Sequence, residues 1–117
     1  MLLGELKYAF WNQENGIATI LKVKERKLDA TTSPELKGKF LILCKPQLKE
    51  LVIDLSDVEF CDSTGLSALL IAERKMRENN GKVKLVGVQK KVLSLLKISH
   101  LDRTFQIFDT LAKAAKG

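Results

Sequence analysis

The sequence predicts one α/β domain with a mixed, mostly parallel sheet of about five strands and four helices, in the order β-β-α-β-α-β-α-β-α. Three observations predict it. The run 51–55 is almost continuously apolar, as in a central strand that is covered on both faces. Segments with strand periodicity alternate with segments of helical periodicity, which indicates right-handed β-α-β crossovers. The chain has 117 residues, which suits a single domain spanning 1–117.

The first part of the chain predicts a hairpin and then a helix. Apolar and polar residues alternate over 6–11 and again over 17–24, and Asn15-Gly16 between them is a turn signal. Thr32 and Glu35 have the spacing of a capping box, in which the two side chains would cap the first helix. The central strand follows that helix.

The rest of the chain continues the alternation. A long helix with an apolar face begins near residue 63 and ends at Asn79-Asn80-Gly81, a typical helix stop. The later elements are predicted as a strand at 83–88, a helix around 92–96, a short strand at 105–107 and a last helix from about 111. Asp109 or Thr110 can cap that last helix.

Composition limits the possible functions. The net charge is +6, but the lysines are scattered and only 6% of the residues are aromatic, so no stacking surface for nucleic acid is predicted. No apolar run approaches the ~20 residues of a membrane span, and we see no signal peptide. Cys44 and Cys61 are expected to be buried free thiols in a reducing compartment, the cytoplasm. We expect neither a metal nor a cofactor.

The stretch EFCDSTGLSALL, residues 59–70, carries the most informative turn. Asp62 can cap the helix that starts there, and Ser63 and Thr64 fall in its first turn, where free N–H groups favour negative charge. Gly65 leaves room for another backbone or a ligand to approach closely. The simplest interpretation of this turn is a capped helix start.

Three functional interpretations compete with that one. A nucleophile elbow needs a glycine on both sides of the serine, but Cys61 stands where the first should be, and His100 is the single histidine. A P-loop is excluded because its glycine and lysine pattern does not occur. The third interpretation is a phosphorylation switch on Ser63.

The whole chain resembles the STAS domain family, found in anti-sigma factor antagonists and in sulphate transporter tails. LVIDLSDVEFCDSTGLSALL (51–70) is similar to the family's strand, Asp-Ser-Ser/Thr-Gly-Leu turn and helix. KLDATTSPEL (27–36) resembles its Leu-Asp segment, and 81–114 resembles its closing strand-helix-strand-helix. The resemblance covers about 6–115.

The resemblance implies an anti-sigma factor antagonist, a regulatory binding module with no catalytic residue. Ser63 would be phosphorylated by the partner, an anti-sigma factor serine kinase with the ATP-binding histidine-kinase-like fold, and Thr64 is the second candidate. A serine phosphatase would reverse the modification. The resemblance implies a partner-binding surface of Asp29, Asp62, Ser63, Thr64 and Gly65, with no direct nucleic acid and no membrane.

Two positions depart from the family pattern. Arg26 stands where many members have a glycine, and Ser67 stands where a second glycine often follows Gly-Leu. The alternative within the family is a scaffold or sensor subunit in which Ser63 is structural. From other classes, a small hydrolase that uses Ser63 and a basic nucleic-acid-binding domain remain open.

Overall fold

The computed structural model describes residues 4–10 and 17–116, and the side chains of 18–114. The elements are β1 (Gly4–Phe10), β2 (Ile17–Val23), β3 (Lys27–Leu28), α1 (Ser33–Leu43), β4 (Leu48–Asp54), β5 (Phe60–Cys61), α2 (Ser63–Glu78), β6 (Lys82–Val86), α3 (Lys90–Ile98), β7 (Gln106–Phe108) and α4 (Leu111–Lys116). A short 3₁₀ turn, Leu101–Arg103, lies between α3 and β7. The predicted turn Asn15-Gly16 falls outside the described residues.

Five strands form the main sheet, in the order β1-β2-β4-β6-β7. The hairpin β1–β2 is antiparallel, and the other neighbours are parallel. The predicted fold class is therefore confirmed, with the central strand in the middle of the sheet. Two strands were not predicted: β3 and β5 pair in parallel as a separate two-stranded ribbon, with Lys27 opposite Phe60 and Leu28 opposite Cys61.

Both faces of the central strand are covered, as its apolar run predicts. Leu51 and Ile53 face a core that α1, α2 and α3 complete, and both are fully buried. Val52 faces the other side, where it packs with Val86 and with Ala114 of α4. No helix within the described ranges is both long and apolar enough to cross a bilayer.

A buried ion pair lies beneath α4. The Lys84 ammonium is 2.7 Å from Glu50 Oε1 and donates a hydrogen bond of 2.7 Å to the carbonyl of Ala114. It also lies 5.6 Å from the centre of the Phe108 ring, within cation–π range. Lys84 is 0% exposed and Glu50 4%. The last helix is thus held to the sheet by a charged group.

The start of α1 differs from its prediction. Thr32 is the N-cap residue, but its side chain makes no capping hydrogen bond, so the capping box with Glu35 is wrong. The Thr32 hydroxyl instead accepts a hydrogen bond from the backbone N–H of Asp29 at 3.1 Å and donates to the carbonyl of Lys27 at 2.9 Å. Backbone groups of the β3–α1 loop thus bind the hydroxyl that would otherwise cap the helix. The Thr32 side chain therefore stabilises the loop and not the start of α1.

The end of α2 follows the prediction for 79–81. Asn80 takes the left-handed conformation, with φ of 59°, and the N–H of Gly81 donates to the carbonyl of Met76 at 2.7 Å. This bond spans the last turn and satisfies a carbonyl that the helix leaves free. The last helix also begins as predicted, since Thr110 Oγ1 accepts from the N–H of Lys113 at 3.2 Å.

Candidate partner-recognition site at the start of α2

The site lies beyond the carboxyl edge of the sheet. The ribbon strand β3 follows β2, and β5 follows β4, so the ribbon continues past the ends of two adjacent parallel strands. Helix α2 starts directly after β5 rather than after the central strand itself. The N–H of Asp62 donates to the carbonyl of Leu28 at 3.0 Å, and this bond fixes the helix start against β3.

Asp62 caps α2, as its position predicts. Its backbone is extended, and Oδ1 accepts from the N–H of Thr64 at 2.9 Å and from the N–H of Gly65 at 3.1 Å. The pKa of Asp62 lies below its usual value, chiefly because the Thr64 hydroxyl donates to the ionised carboxylate, while desolvation acts in the opposite direction. The carboxylate therefore stays charged at neutral pH and satisfies two of the free N–H groups at the helix start.

The two hydroxyls of this turn have different surroundings. Thr64 Oγ1 donates to Asp62 Oδ1 at 2.6 Å and lies 3.3 Å from Ser33 Oγ, and the residue is only partly exposed. Ser63 is exposed, and within the described part of the chain its hydroxyl makes no hydrogen bond. Of the two candidate phosphate acceptors, Ser63 therefore has an accessible hydroxyl, whereas the hydroxyl of Thr64 is already hydrogen-bonded to Asp62.

Gly65 permits the close contact between α2 and β3. A Cβ atom at this position would lie 2.6 Å from the carbonyl oxygen of Leu28 and 2.7 Å from Sγ of Cys61. Since the nearest atom belongs to backbone, it cannot rotate away. The prediction that Gly65 admits another backbone is confirmed, and that backbone is β3.

A hydrogen-bonded chain connects Asp29 to the start of α2. The Ser33 hydroxyl donates to the carbonyl of Asp29 at 2.6 Å and lies against Thr64, which in turn donates to Asp62. The Asp29 carboxylate accepts from the N–H of Thr31 at 3.0 Å. Asp29 thus lies in the loop beside the helix start. Ser33, which is 1% exposed, was not predicted as part of the site, since a serine before proline is usual at any helix start.

Arg26 and Glu59 form an ion pair along the ribbon. Arg26 Nε is 3.0 Å and Nη2 3.3 Å from the two carboxylate oxygens of Glu59. The carbonyl of Arg26 also accepts from the N–H groups of Glu59 and Phe60, at 2.8 and 3.1 Å. Arg26, one of the departures from the family pattern, therefore has a partner. Ser67, the other departure, lies exposed on α2.

The remaining candidates lie in ordinary structural positions. His100 follows α3 in a turn with φ of 60°, is exposed, and has no side-chain hydrogen bond to any described residue, Ser63 included. Cys44 and Cys61 are buried free cysteines, as predicted. Burial raises the pKa of their thiols, to about 11 for Cys44 and about 12 for Cys61.

This architecture is that of a known family. The family model of the STAS domain matches residues 11–114. The chain therefore belongs to the STAS domain family.

Relatives and solved structures agree with this assignment. The anti-sigma-B factor antagonist of Listeria monocytogenes is 31% identical over 83 residues, which cover 68% of this chain and 70% of that protein. The STAS domain anti-sigma-factor antagonist of Planctomyces limnophilus has a TM-score of 0.78 at 20% identity, over 95% of this chain and 94% of that one.

The Bacillus cell fate determinant SpoIIAA in its phosphorylated form has a TM-score of 0.68 at 14% identity, over 96% of this chain and 97% of that one. At 20% and 14% identity, the two solved structures show a shared fold alone.

Proposed function

We propose that this protein is an anti-sigma factor antagonist that switches partners through phosphorylation of Ser63. The unphosphorylated protein binds an anti-sigma factor serine kinase, and the phosphorylated protein releases it, which regulates transcription in a bacterial cytoplasm. The observation that carries the proposal is the exposed hydroxyl of Ser63, which makes no hydrogen bond to any described residue and lies on a helix start that Asp62 already caps. The name of the Listeria relative, an anti-sigma-B factor antagonist, supports it.

The role is that of a binding protein rather than an enzyme. The partner surface consists of Asp29, Asp62, Ser63 and Thr64, whereas Gly65 is buried against β3 and supports that surface from beneath. The ion pair of Arg26 and Glu59 adjoins it on the ribbon. The kinase supplies ATP and the catalytic groups, while this chain supplies only the acceptor hydroxyl. A serine phosphatase restores the binding form.

The free protein can carry the phosphate without refolding. A phosphoserine adds about −1.5 to −2 charges at neutral pH. The positive end of the α2 dipole favours such a charge by ~0.3–1 kcal/mol. The Asp62 carboxylate, next in the chain and ionised because its pKa is lowered chiefly by the Thr64 hydroxyl, opposes it. These two local effects are small and of opposite sign, so the fold persists.

The bound state responds differently. On docking, a phosphate on Ser63 must lose water and fit a partner surface shaped for a hydroxyl. Burying a charge that has no partner costs several kcal/mol. Because each 1.4 kcal/mol is a tenfold change in affinity, a cost of ~3 kcal/mol weakens the complex by more than a hundredfold. Desolvation and repulsion at one side chain are therefore large enough to separate the two proteins.

A capture experiment with matched variants tests the proposal. Immobilised Ser63→Ala and Ser63→Asp chains are incubated with an extract of the native host, and the retained proteins are identified by mass spectrometry. Ser63→Ala should retain an anti-sigma factor of the ATP-binding histidine-kinase-like fold, and Ser63→Asp should not. Ser99→Asp is the control, since it places the same charge on an exposed residue at the C-terminal end of α3, away from the edge of the sheet at which α2 starts. Equal retention by the Ala and Asp variants at Ser63 would contradict the proposal.

Phosphorylation itself is tested with the purified retained protein and ATP. Phosphate should appear on Ser63 in the natural chain and in Thr64→Val, and it should be absent from Ser63→Ala. Phosphate on Thr64 alone would overturn the assignment of the acceptor. If neither residue is modified, the scaffold alternative holds.

A further inference from the structure

The outward face of the β3–β5 ribbon carries an aromatic side chain among cations. Because successive residues of a strand point to opposite faces, Lys27 and Phe60 point away from the core, whereas Leu28 and Cys61 point into it. Phe60 is 48% exposed, which is unusual for a large aromatic side chain. The ribbon surface is defined here as Arg26, Lys27, Glu59, Phe60 and Lys91.

The ribbon surface encloses a small cavity. Its five residues line a volume of about 270 Å³, which is below the ~300–1,000 Å³ of typical small-molecule sites and suits one side chain. A cleft of about 370 Å³ at the start of α3 shares Glu59 and Lys91 with it. Another of about 580 Å³ at the β3–α1 loop shares Arg26 and Lys27. The three clefts therefore adjoin one another through shared residues, and we refer to them together as the groove.

The charge of this groove favours an acidic occupant. Arg26 is already paired with Glu59, the single acid of the ribbon surface. Within the described ranges, the Lys27 ammonium has no salt bridge. The pKa of Glu59 lies below its usual value, first because Arg26 donates a hydrogen bond to it and to a smaller extent because Lys91 is near. Lys27 and Lys91 thus leave a net positive charge beside an exposed aromatic ring. The adjoining clefts add Lys24 and Lys90 against Glu25 and Asp29, so the groove as a whole stays positive.

The ribbon surface lies within the footprint of any partner that covers Ser63. Phe60 precedes Ser63 by three residues, so their Cα atoms are at most ~10 Å apart. A typical protein interface buries ~800 Å² on each side, which corresponds to a disc of roughly 16 Å radius. A partner centred on Ser63 therefore also meets Phe60.

We propose that the ribbon surface binds an acidic segment of the anti-sigma factor. One apolar side chain of that segment contacts Phe60, and its carboxylates lie at Lys27 and Lys91. The inference rests on the proposed function and gives the two parts of the site different roles. Phosphorylation of Ser63 determines whether the partner binds, and the ribbon surface determines which partner binds. An exposed aromatic residue is the usual energetic centre of such a contact, and charges around it reject partners of the wrong sign.

Three blocked synthetic peptides test the chemistry of the groove without any anti-sigma factor: Asp-Glu-Leu-Glu-Asp, its Ser-for-Leu version and Lys-Lys-Leu-Lys-Lys. Binding is followed by backbone amide shifts in NMR spectra of the whole protein. The acidic leucine peptide should shift the amides of Arg26, Lys27, Phe60 and Lys91, and the basic peptide should not. Phe60→Ser should weaken binding by at least about fivefold, which corresponds to ~1 kcal/mol. Ile98→Ser, at a residue that is 76% exposed on α3, is the control and should have no effect.

Other outcomes of the peptide titration overturn the inference. One is equal affinity for all three peptides. Another is a set of amide shifts at residues outside the ribbon surface. A third is an equal loss of peptide affinity in Phe60→Ser and Ile98→Ser. A short DNA duplex that shifts the same amides as strongly as the acidic peptide would also overturn it, since the groove would then select phosphate rather than an acidic protein segment.

The purified anti-sigma factor separates this inference from the proposed function. Phe60→Ser and Lys91→Glu should each weaken its binding to the unphosphorylated protein by at least about fivefold, while phosphorylation of Ser63 proceeds at saturating kinase. If both variants bind normally, the ribbon inference fails and the switch stands. If no anti-sigma factor is captured but the acidic peptide binds, the proposed function fails and the assignment of this segment to an anti-sigma factor fails with it.

Discussion

Replacement of Lys84 by methionine should be the most destabilising single change on the α4 face of the sheet. The substitution keeps most of the unbranched side chain but removes the ammonium that binds Glu50 and the carbonyl of Ala114, each at 2.7 Å. Glu50, which is 4% exposed, is left as a buried carboxylate without its cation. Breaking one half of a buried pair costs ~3–5 kcal/mol.

That cost is large for a protein of this size. Small domains have a free energy of unfolding of ~5–15 kcal/mol, so at least about a fifth of the stability should be lost. At ~4 °C per kcal/mol for a chain of this length, Tm should fall by about 12–20 °C. Urea unfolding followed by circular dichroism measures the change directly.

Two further variants show whether the pair itself is responsible. The double variant Lys84→Met/Glu50→Leu should recover much of the lost stability, because two apolar side chains then fill the space and no charge is buried. Recovery is incomplete because the carbonyl of Ala114 still lacks its donor. Lys22→Met is the surface control: Lys22 and Asp57 are 3.9 Å apart and both partly exposed, and such pairs contribute ~0–1 kcal/mol. The reasoning would be refuted if Lys84→Met cost no more than Lys22→Met.

Three other predictions concern the site and the thiols. Asp62→Ala should lose ~0.5–2 kcal/mol of stability in urea unfolding, because two N–H groups at the start of α2 lose their acceptor. The ionised Asp62 carboxylate stabilises the fold above its ordinary pKa of ~3.9, and this stabilisation is lost as pH falls through the lowered pKa of the folded protein. In Asp62→Asn the free energy of unfolding should therefore depend less on pH across that range. An unchanged slope of that free energy against pH would contradict the reasoning. Gly65→Ala should lower the free energy of unfolding by ~1–3 kcal/mol and shift the amide resonances of the ribbon, because its Cβ would lie 2.6 Å from the backbone carbonyl oxygen of Leu28. A loss of less than about 0.5 kcal/mol would contradict this close contact. Burial raises the pKa of Cys44 to about 11 and of Cys61 to about 12, so little thiolate is present at pH 8 in the folded protein. Iodoacetamide should therefore modify both thiols at least about a hundredfold more slowly in the folded than in the urea-unfolded protein. Equal rates of modification would contradict their burial.

The main helices and strands could be predicted from the sequence because hydrophobic periodicity indicates their type and helix-terminal residues indicate where the helices begin and end. The apolar run 51–55 favours a strand with two covered faces, and Asp62 before a long apolar-faced helix is a strong cap. Asn80 and Gly81 likewise mark the end of α2, although it is Asn80 that takes the positive φ.

Other features depend on contacts that no local pattern encodes. The strands β3 and β5 have two residues each, too few for a period, and they exist because the loops after β2 and β4 meet in space. Lys84 alternates with apolar neighbours in β6 and so resembles a solvent-facing residue, and only the position of α4 buries it. The same applies to Thr32, whose hydroxyl is used by the β3–α1 loop rather than by the helix it precedes.

The central claim is tested most directly by the affinity of the purified anti-sigma factor for two forms of this protein, one with serine and one with phosphoserine at position 63. Isothermal titration calorimetry at physiological salt compares them, with phosphoserine at position 99, exposed at the C-terminal end of α3, as the control for charge. We predict a loss of affinity of more than a hundredfold for phosphoserine at 63 and of less than about threefold for phosphoserine at 99. Affinities within threefold of each other for serine and phosphoserine at 63 would contradict it.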